Sequence, residues 1–319
     1  MKNKLSKWVS ILIPLIIGIA LIIYQYNSFT QNQLLEIKGY FKNANYLYIY
    51  ISLFIALLGV ISRSYRWKFS IEQMGYTSAF KNNFMAVCIC YFMNLSIPRS
   101  GEISRAVILK KYEKIPFGKA FGTIIAERIV DTILFFFFVV LGFILQFGVI
   151  KDFILNIIPF EKLILLFIVG IIGFIVFCLI WIYSNFKIIA KLKEKLSGLI
   201  EGMMSVLNMK NKWAFLFHSL FIWGSYIAMF YVTIFALPET SNISFNAVII
   251  GFIFGTLAIG FTNSGFGAYP LLVAQIFVLY GVSNTAGTAF GWLVWTSQTI
   301  LTIVLGGLSF LFLPILNRK

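Results

Sequence analysis

The chain has 319 residues, of which 60% are hydrophobic and only 12% are charged, and its formal net charge is +15. Soluble domains carry roughly twice that share of charged residues, and the long unbroken apolar runs do not fit the alternating strands of a membrane barrel. The composition therefore excludes a soluble globular protein and predicts an all-α polytopic membrane protein.

The positive charge indicates membrane orientation rather than nucleic-acid binding. Most of the 26 lysines and arginines lie in the segments 1–7, 62–83, 98–119, 184–212 and 314–319. Cytoplasmic loops of membrane proteins are enriched in these residues, which also attract anionic head groups. We expect these segments on the cytoplasmic side of the cell membrane, with both termini inside, and we expect no nucleic-acid partner.

The first half of the chain predicts three crossings and one segment that enters without crossing. Helices over 8–26 and 46–62 run outward and back, and Trp67 follows as an interfacial anchor. The apolar run 84–97 is short for a span and has cations on both flanks, which favours a re-entrant segment opened from the cytoplasm. A helix that starts near Pro116 then leads outward.

The second half repeats this order in the opposite direction. A helix over 163–183 returns inward, an interfacial amphipathic segment covers 184–212, and a helix over 213–236 runs outward. The run 243–280 is broken by glycines and has no cation on either flank, so it predicts a re-entrant hairpin opened from outside. A last helix over 288–313 returns to the cytoplasm.

These elements predict one membrane domain over 1–319, with about six transmembrane helices plus two re-entrant helical hairpins in an inverted-topology repeat. Residues 8–150 form the first inverted repeat and residues 161–313 the second. Inverted repeats whose broken helices meet near the midplane are the architecture of secondary transporters. Eight full spans are the competing topology.

Charged residues beside apolar sequence mark a candidate site in the first half, because a charge in the bilayer is costly unless it is paired or hydrated. Glu127 and Asp131 share a helix face next to Arg128. Pairing of these carboxylates with Arg99 or Arg105 would leave one guanidinium for a phosphate, which the arginine fork binds bidentately. Charges in head-group water at the start of a helix are the alternative.

Further candidates lie at the end of the second helix and at the two breaks. Arg63 and Arg66 are three residues apart, where cations commonly snorkel to the interface. Loop formers that turn the chain or expose N–H groups to an anion are Pro98, Gly101, Asn263, Ser264, Gly265 and Gly267.

Neither a metal site nor a cofactor is predicted. Cys88, Cys90 and Cys178 lie in apolar segments as small hydrophobic residues, and the spacing of Cys88 and Cys90 does not suit a metal. The single histidine, His218, lies in another helix and is assigned no role.

Three motifs carry a family resemblance. They are Arg63-x-x-Arg66-Trp67, then Asn94-x-x-x-Pro98-Arg99-x-Gly101-Glu102-x-x-Arg105, then Glu127-Arg128-x-x-Asp131. They resemble the membrane domain of the lysylphosphatidylglycerol synthase/flippase family, which includes standalone flippase-like members. The resemblance covers nearly the whole chain and implies movement of a phospholipid or lipid-linked head group between leaflets. The family's second half has a Gly-Gly-x-Gly stretch followed by Glu, whereas Ser264 and Pro270 stand at the first Gly and at the Glu here.

The leading hypothesis is a lipid translocase for an anionic or aminoacylated phospholipid or a polyprenyl-phosphate-linked sugar. The lipid phosphate is expected at Arg63, Arg66, Arg99 and Arg105. Supporting or proton-coupled roles are expected for Asn94, Glu102, Glu127, Arg128 and Asp131.

Two other functions stay open. One is a membrane-embedded lipid-modifying enzyme, which the isolated His218 and the single acid Glu36 of the first external segment disfavour. The other is a non-catalytic partner subunit that anchors a cell-envelope enzyme through 184–212. Two-domain relatives carry a soluble synthetase, for which this chain has no room after its last helix, so aminoacyl transfer is not expected. Besides a membrane lipid, the partners to consider are a separate synthetase or glycosyltransferase and a second copy of the chain.

Overall fold

The computed structural model describes residues 2–148 and 208–318, together with six isolated helical positions between them. Most of the predicted helix 163–183 and of the amphipathic segment 184–212 lies outside the described residues. Every regular element in the described part of the chain is a helix, so the all-α prediction is confirmed there.

Six helices make up residues 2–148. They are α1 (Lys2–Ser28), α2 (Gln31–Asn43), α3 (Tyr46–Gln73), α4 (Phe80–Ser96), α5 (Ser100–Tyr112) and α6 (Phe117–Leu145). Polar side chains cap two of these starts: Thr30 and Gln33 form a capping box at α2, and Asn45 accepts a hydrogen bond from the Leu47 N–H at α3. The chain order from α1 to α6 matches the elements that hydropathy predicts, with α2 added in the polar segment.

Residues 208–318 form five helices and one short 3-10 turn, Ile234–Ala236. The helices are α7 (Lys212–Thr233), α8 (Pro238–Ser241), α9 (Phe245–Phe261), α10 (Ala268–Val278) and α11 (Asn284–Leu316). Ser244 and Ser283 cap α9 and α11 through their side-chain oxygens.

Three described helices are long and apolar enough to cross a membrane: α3, α7 with its 3-10 turn, and α11. The pair α1 and α2, bent by 112° at its junction, counts as a fourth if it forms one broken span. The chain is therefore a helical membrane protein. The full count of six spans and two re-entrant hairpins stays a prediction.

Two pairs of short helices pack as hairpins. In the first, α4 and α5 have 17 and 13 residues, and in the second, α9 and α10 have 17 and 11. About 20 residues are needed to cross a bilayer as a straight helix, so each member is short for a separate crossing. The first break, 97–99, and the second break, 262–267, fall where proline and glycine interrupt the apolar sequence.

Backbone geometry at the breaks explains part of their sequence. Arg99 and Ser264 adopt positive φ angles of 64° and 53°, and Gly265 and Gly267 have φ angles of 81° and 72°, a region that favours glycine. Gly101 is required for a different reason: a Cβ there would overlap the carbonyl oxygen of Cys90. The α4–α5 hairpin therefore closes this tightly only because the second residue of α5, Gly101, has no side chain.

Helix α3, which corresponds to the helix predicted over 46–62, does not end at Ser62. It continues without interruption to Gln73, and Ser62, Arg63 and Arg66 are all buried. The cations that suggested a helix end at the membrane surface are instead held inside the protein by partners on other helices. This part of α3 packs in a hydrophobic core with α4, α5 and α6.

Candidate functional site

Asp131 on α6 binds two arginines of α3. Its Oδ2 accepts a hydrogen bond from Arg63 Nη2 at 2.7 Å, and its two oxygens accept from Arg66 Nη1 and Nη2 at 2.6 and 3.1 Å. Arg63 and Arg66 lie three residues apart, so one face of α3 presents both guanidiniums. Both arginines are almost fully buried, and neither snorkels to the interface.

Glu127 lies one helical turn before Asp131 and pairs with α5. Its Oε2 is 3.1 Å from Arg105 Nη2 and 3.9 Å from Arg66 Nη2, and all three side chains are buried. The Arg105 guanidinium also stacks on the ring of Trp67, 3.9 Å from its centroid. The predicted interfacial anchor role of Trp67 is wrong, because this residue is completely buried and supports a cation through a cation–π contact.

Arg128 and Glu102 form the outermost pair. Arg128 Nη2 lies 3.1 Å from Glu102 Oε1, and Arg128 Nη1 lies 3.9 Å from Asp131 Oδ2. Glu102 also accepts a hydrogen bond from Asn94 Nδ2 at 3.3 Å, while Asn94 Oδ1 accepts one from the Gly101 N–H at 2.8 Å. The first break is thus linked directly to the charged residues.

We call these seven residues the charge cluster. They are Arg63, Arg66, Arg105, Arg128, Glu102, Glu127 and Asp131. Four guanidiniums face three carboxylates, so the cluster carries one positive charge in excess. Charges removed from water are tolerated when they are paired and hydrogen-bonded, which explains why the carboxylates and arginines occur together.

Hydroxyl groups accept further hydrogen bonds from the α3 arginines. Arg63 Nη1 donates to Tyr91 at 2.8 Å and to Tyr226 at 3.2 Å, and the two hydroxyl oxygens are 3.0 Å apart. Arg66 Nη1 donates to Ser219 at 3.1 Å. None of these three residues is among the site residues that the sequence predicts. Ser219 and Tyr226 are seven residues apart on one face of α7, and this spacing of hydroxyls in an apolar helix is the signal that could have found them.

The two breaks contact each other. Asn263 Nδ2 donates to the carbonyl of Leu95 at 2.8 Å, and Ser264 Oγ donates to the carbonyl of Asn94 at 3.1 Å. The Trp295 indole fixes the second break from α11 by donating to the Ser264 carbonyl at 2.8 Å. Asn94 therefore lies between the charge cluster on one side and the second hairpin on the other.

Arg99 and His218 lie outside the charge cluster. Arg99 follows the exposed Pro98, is itself exposed, and has no ion pair or hydrogen bond within residues 2–148 and 208–318. Of the two arginines expected to pair with these carboxylates, Arg105 pairs with Glu127, whereas Arg99 pairs with neither Glu127 nor Asp131. His218 Nδ1 is 2.8 Å from Ser62 Oγ. Over the described residues no group of three metal-ligating side chains comes together.

The chain is similar to known membrane proteins. The family described as the lysylphosphatidylglycerol synthase TM region matches residues 11–307. The UPF0104 membrane protein MJ1595 of Methanocaldococcus jannaschii is 40% identical over 99 residues, which is 30% of this chain and 30% of that protein. The match therefore spans less than a third of the length of that curated relative. No solved structure matches this chain. Because the family match includes the whole charge cluster and both breaks, the chain belongs to the lysylphosphatidylglycerol synthase transmembrane-region family.

Proposed function

We propose that this protein is a lipid translocase that moves a lipid with a phosphate head group between leaflets. The candidates are an anionic or aminoacylated phospholipid and a polyprenyl-phosphate-linked sugar. The observation that carries the proposal is the buried charge cluster beside two helix breaks that touch each other. On this proposal the chain is a transporter and not an enzyme.

The charge of the cluster supports an anionic cargo. Seven ionisable side chains among apolar helices are expensive to maintain for structure alone, and intramembrane charges mark substrate or ion pathways. The excess positive charge attracts a phosphate, and arginine binds its oxygens with a planar fork. Arg99, exposed at the first break, is placed to meet the head group before it reaches the buried residues.

The two hairpins support movement of that cargo. Helix breaks at the meeting point of two inverted repeats form the substrate site of many secondary transporters, and one repeat rocks against the other around it. We extend the proposal to this topology: six spans, two re-entrant hairpins and cytoplasmic termini in the cell membrane. The hydrogen bonds from Asn263 and Ser264 to the first break are few enough to exchange as the hairpins move.

Leaflet exchange in proteoliposomes tests the proposal. Fluorescent phosphatidylglycerol, its lysylated form and a polyprenyl-phosphate sugar are each incorporated, and their accessibility to an external quencher is followed over time. We expect the wild-type protein to exchange at least one of them. Arg99→Ala should reduce the rate about tenfold, since one charge-assisted contact is worth about 1.5 kcal/mol.

The matched control is Lys110→Gln, which removes an exposed cation from α5, the helix that Arg99 precedes. It should exchange lipid at the wild-type rate. Exchange no faster than in protein-free liposomes for all three lipids would refute the translocase and favour the enzyme or the partner subunit. Full activity in Arg99→Ala would remove Arg99 from the site.

A further inference from the structure

The ion pair between Arg128 and Glu102 differs from the rest of the charge cluster. Arg63 and Arg66 each donate three hydrogen bonds and are buried. The Arg128 side chain is 39% exposed and that of Glu102 16%. Within the part of the chain that the structure describes, the Arg128 guanidinium makes ion-pair contacts but no hydrogen bond. Most donors of this guanidinium are therefore available.

Glu102 does not depend on Arg128 alone. Its second oxygen accepts the hydrogen bond from Asn94 Nδ2, and the carboxylate lies in the first turn of α5. The positive end of a helix dipole stabilises an acidic group at that position. Glu102 thus keeps two favourable interactions when Arg128 moves away, whereas within the described residues the side chains of Asp131 and Glu127 pair with arginines alone.

The charge balance of the cluster indicates which kind of phosphate group Arg128 can bind. Three carboxylates neutralise three of the four guanidiniums, and Arg128 is the exposed member of the four. A phosphodiester carries a single negative charge at neutral pH, so one bound phosphodiester brings the cluster to neutrality. A phosphomonoester or a diphosphate carries more charge and would leave an uncompensated anion in a region where that is costly.

We propose that Arg128 binds the head group and that Glu102 is its built-in competitor. The ligand is a phosphodiester, which displaces the Glu102 carboxylate from Arg128 and takes the donors at Nη1 and Nη2. Glu102 stays on Asn94 and recaptures Arg128 when the head group leaves. This assignment rests on the proposed function, since it names the ligand and the contact of the same site, and it moves the primary phosphate contact away from Arg63, Arg66 and Arg105.

Opposite effects of two substitutions distinguish competition from a structural role. Arg128→Gln removes the ligand and should raise the Kd for a phosphodiester lipid about tenfold or more, the loss expected for a charge-assisted contact. Glu102→Gln removes the competitor and should lower the Kd severalfold. If the pair only held α5 to α6, both variants would weaken binding. Arg128→Lys keeps the charge but loses the fork, so its Kd should lie between wild type and Arg128→Gln.

The measurement is calorimetric titration of the full-length protein in detergent with dihexanoyl phosphatidylglycerol. Glycerophosphoglycerol, which has the same head group without acyl chains, and inorganic phosphate are titrated in parallel, and Lys110→Gln is the control. The inference is overturned if Arg128→Gln and Glu102→Gln change the Kd in the same direction. It is also overturned if the wild-type protein does not bind the lipid. Inorganic phosphate that binds as tightly as the lipid would also contradict it, because the charge balance favours the diester.

Leaflet exchange of the same proteins separates this inference from the proposed function. If the wild type exchanges lipid and the Kd is unchanged in both variants, the role of Arg128 is refuted but the translocase is not. If the two variants change the Kd in opposite directions but the wild type exchanges no lipid, the role of Arg128 is supported and only the translocase is refuted. Thermal unfolding identifies a variant that does not fold, in which case Arg128→Lys and Glu102→Asp, where the carboxylate is shortened by one methylene, decide the sign.

Discussion

Replacing Asp131 with asparagine tests the centre of the charge cluster. The carboxylate accepts three hydrogen bonds from Arg63 and Arg66 at 2.6 to 3.1 Å, and both arginines are almost inaccessible to solvent. In Asp131→Asn, Arg63 keeps its tyrosine hydroxyls and Arg66 keeps Glu127 at 3.9 Å, but no carboxylate of residues 2–148 or 208–318 remains in hydrogen-bonding distance of either. Removing one partner of a buried ion pair costs about 3–5 kcal/mol. We expect Asp131→Asn to lower the free energy of unfolding by that amount.

Equilibrium unfolding in mixed micelles, followed by tryptophan fluorescence, measures this loss. The control is Glu72→Gln on α3, which breaks a Lys68–Glu72 contact of 3.6 Å between side chains that are 43% and 33% exposed. Exposed pairs contribute about 0–1 kcal/mol, so this variant should change the free energy of unfolding by less than about 1 kcal/mol. Adding Arg66→Met to Asp131→Asn removes one uncompensated cation and should restore part of the loss. If Asp131→Asn is no less stable than the control, the cluster does not stabilise the fold in the way described.

Two further substitutions test the local geometry by the same unfolding measurement. Gly101→Ala places a methyl group onto the Cys90 carbonyl oxygen and should lower the free energy of unfolding by about 1–3 kcal/mol. In the control Gly118→Ala the added methyl group meets open space, so its stability should stay near that of the wild type. Equal effects of the two substitutions would contradict the close approach of α4 and α5. Trp67→Phe keeps a ring beneath the guanidinium but loses the bond from Nε1 to Thr123 and should cost about 1 kcal/mol. Trp67→Leu also loses the cation–π contact and should cost more; the reverse order would refute the stacking.

The positions of the helix breaks could be predicted because they depend on local chemistry. Pro98 and the glycines at 265 and 267 interrupt long apolar runs, and the structure breaks its helices there. The end of the second helix could not be predicted in the same way. Arg63 and Arg66 have the composition of a helix end at the membrane surface, and only a partner more than sixty residues away shows that they are buried.

The candidate site was predictable in its carboxylates but not in all of its cations. The four-residue spacing of Glu127 and Asp131 on an apolar helix places both acids on one face, and the structure shows both facing arginines. Which arginines they meet depends on how α3 and α5 pack against α6. Arg105 lies on the buried side of α5, whereas Arg99 precedes that helix in a left-handed conformation and remains exposed.

The two halves of the chain contribute different chemistry to the site. All seven members of the charge cluster belong to residues 63–131, whereas the contacts from 208–318 are neutral. They come from Ser219, Tyr226, Asn263 and Ser264. Pro270, where the family resemblance implies a glutamate, packs so closely on α11 that a Cβ at Gly291 would lie 2.6 Å from its Cα. Within residues 208–318 no carboxylate contacts the charge cluster, so none in that range neutralises the excess guanidinium, which on the proposed function binds an anionic head group.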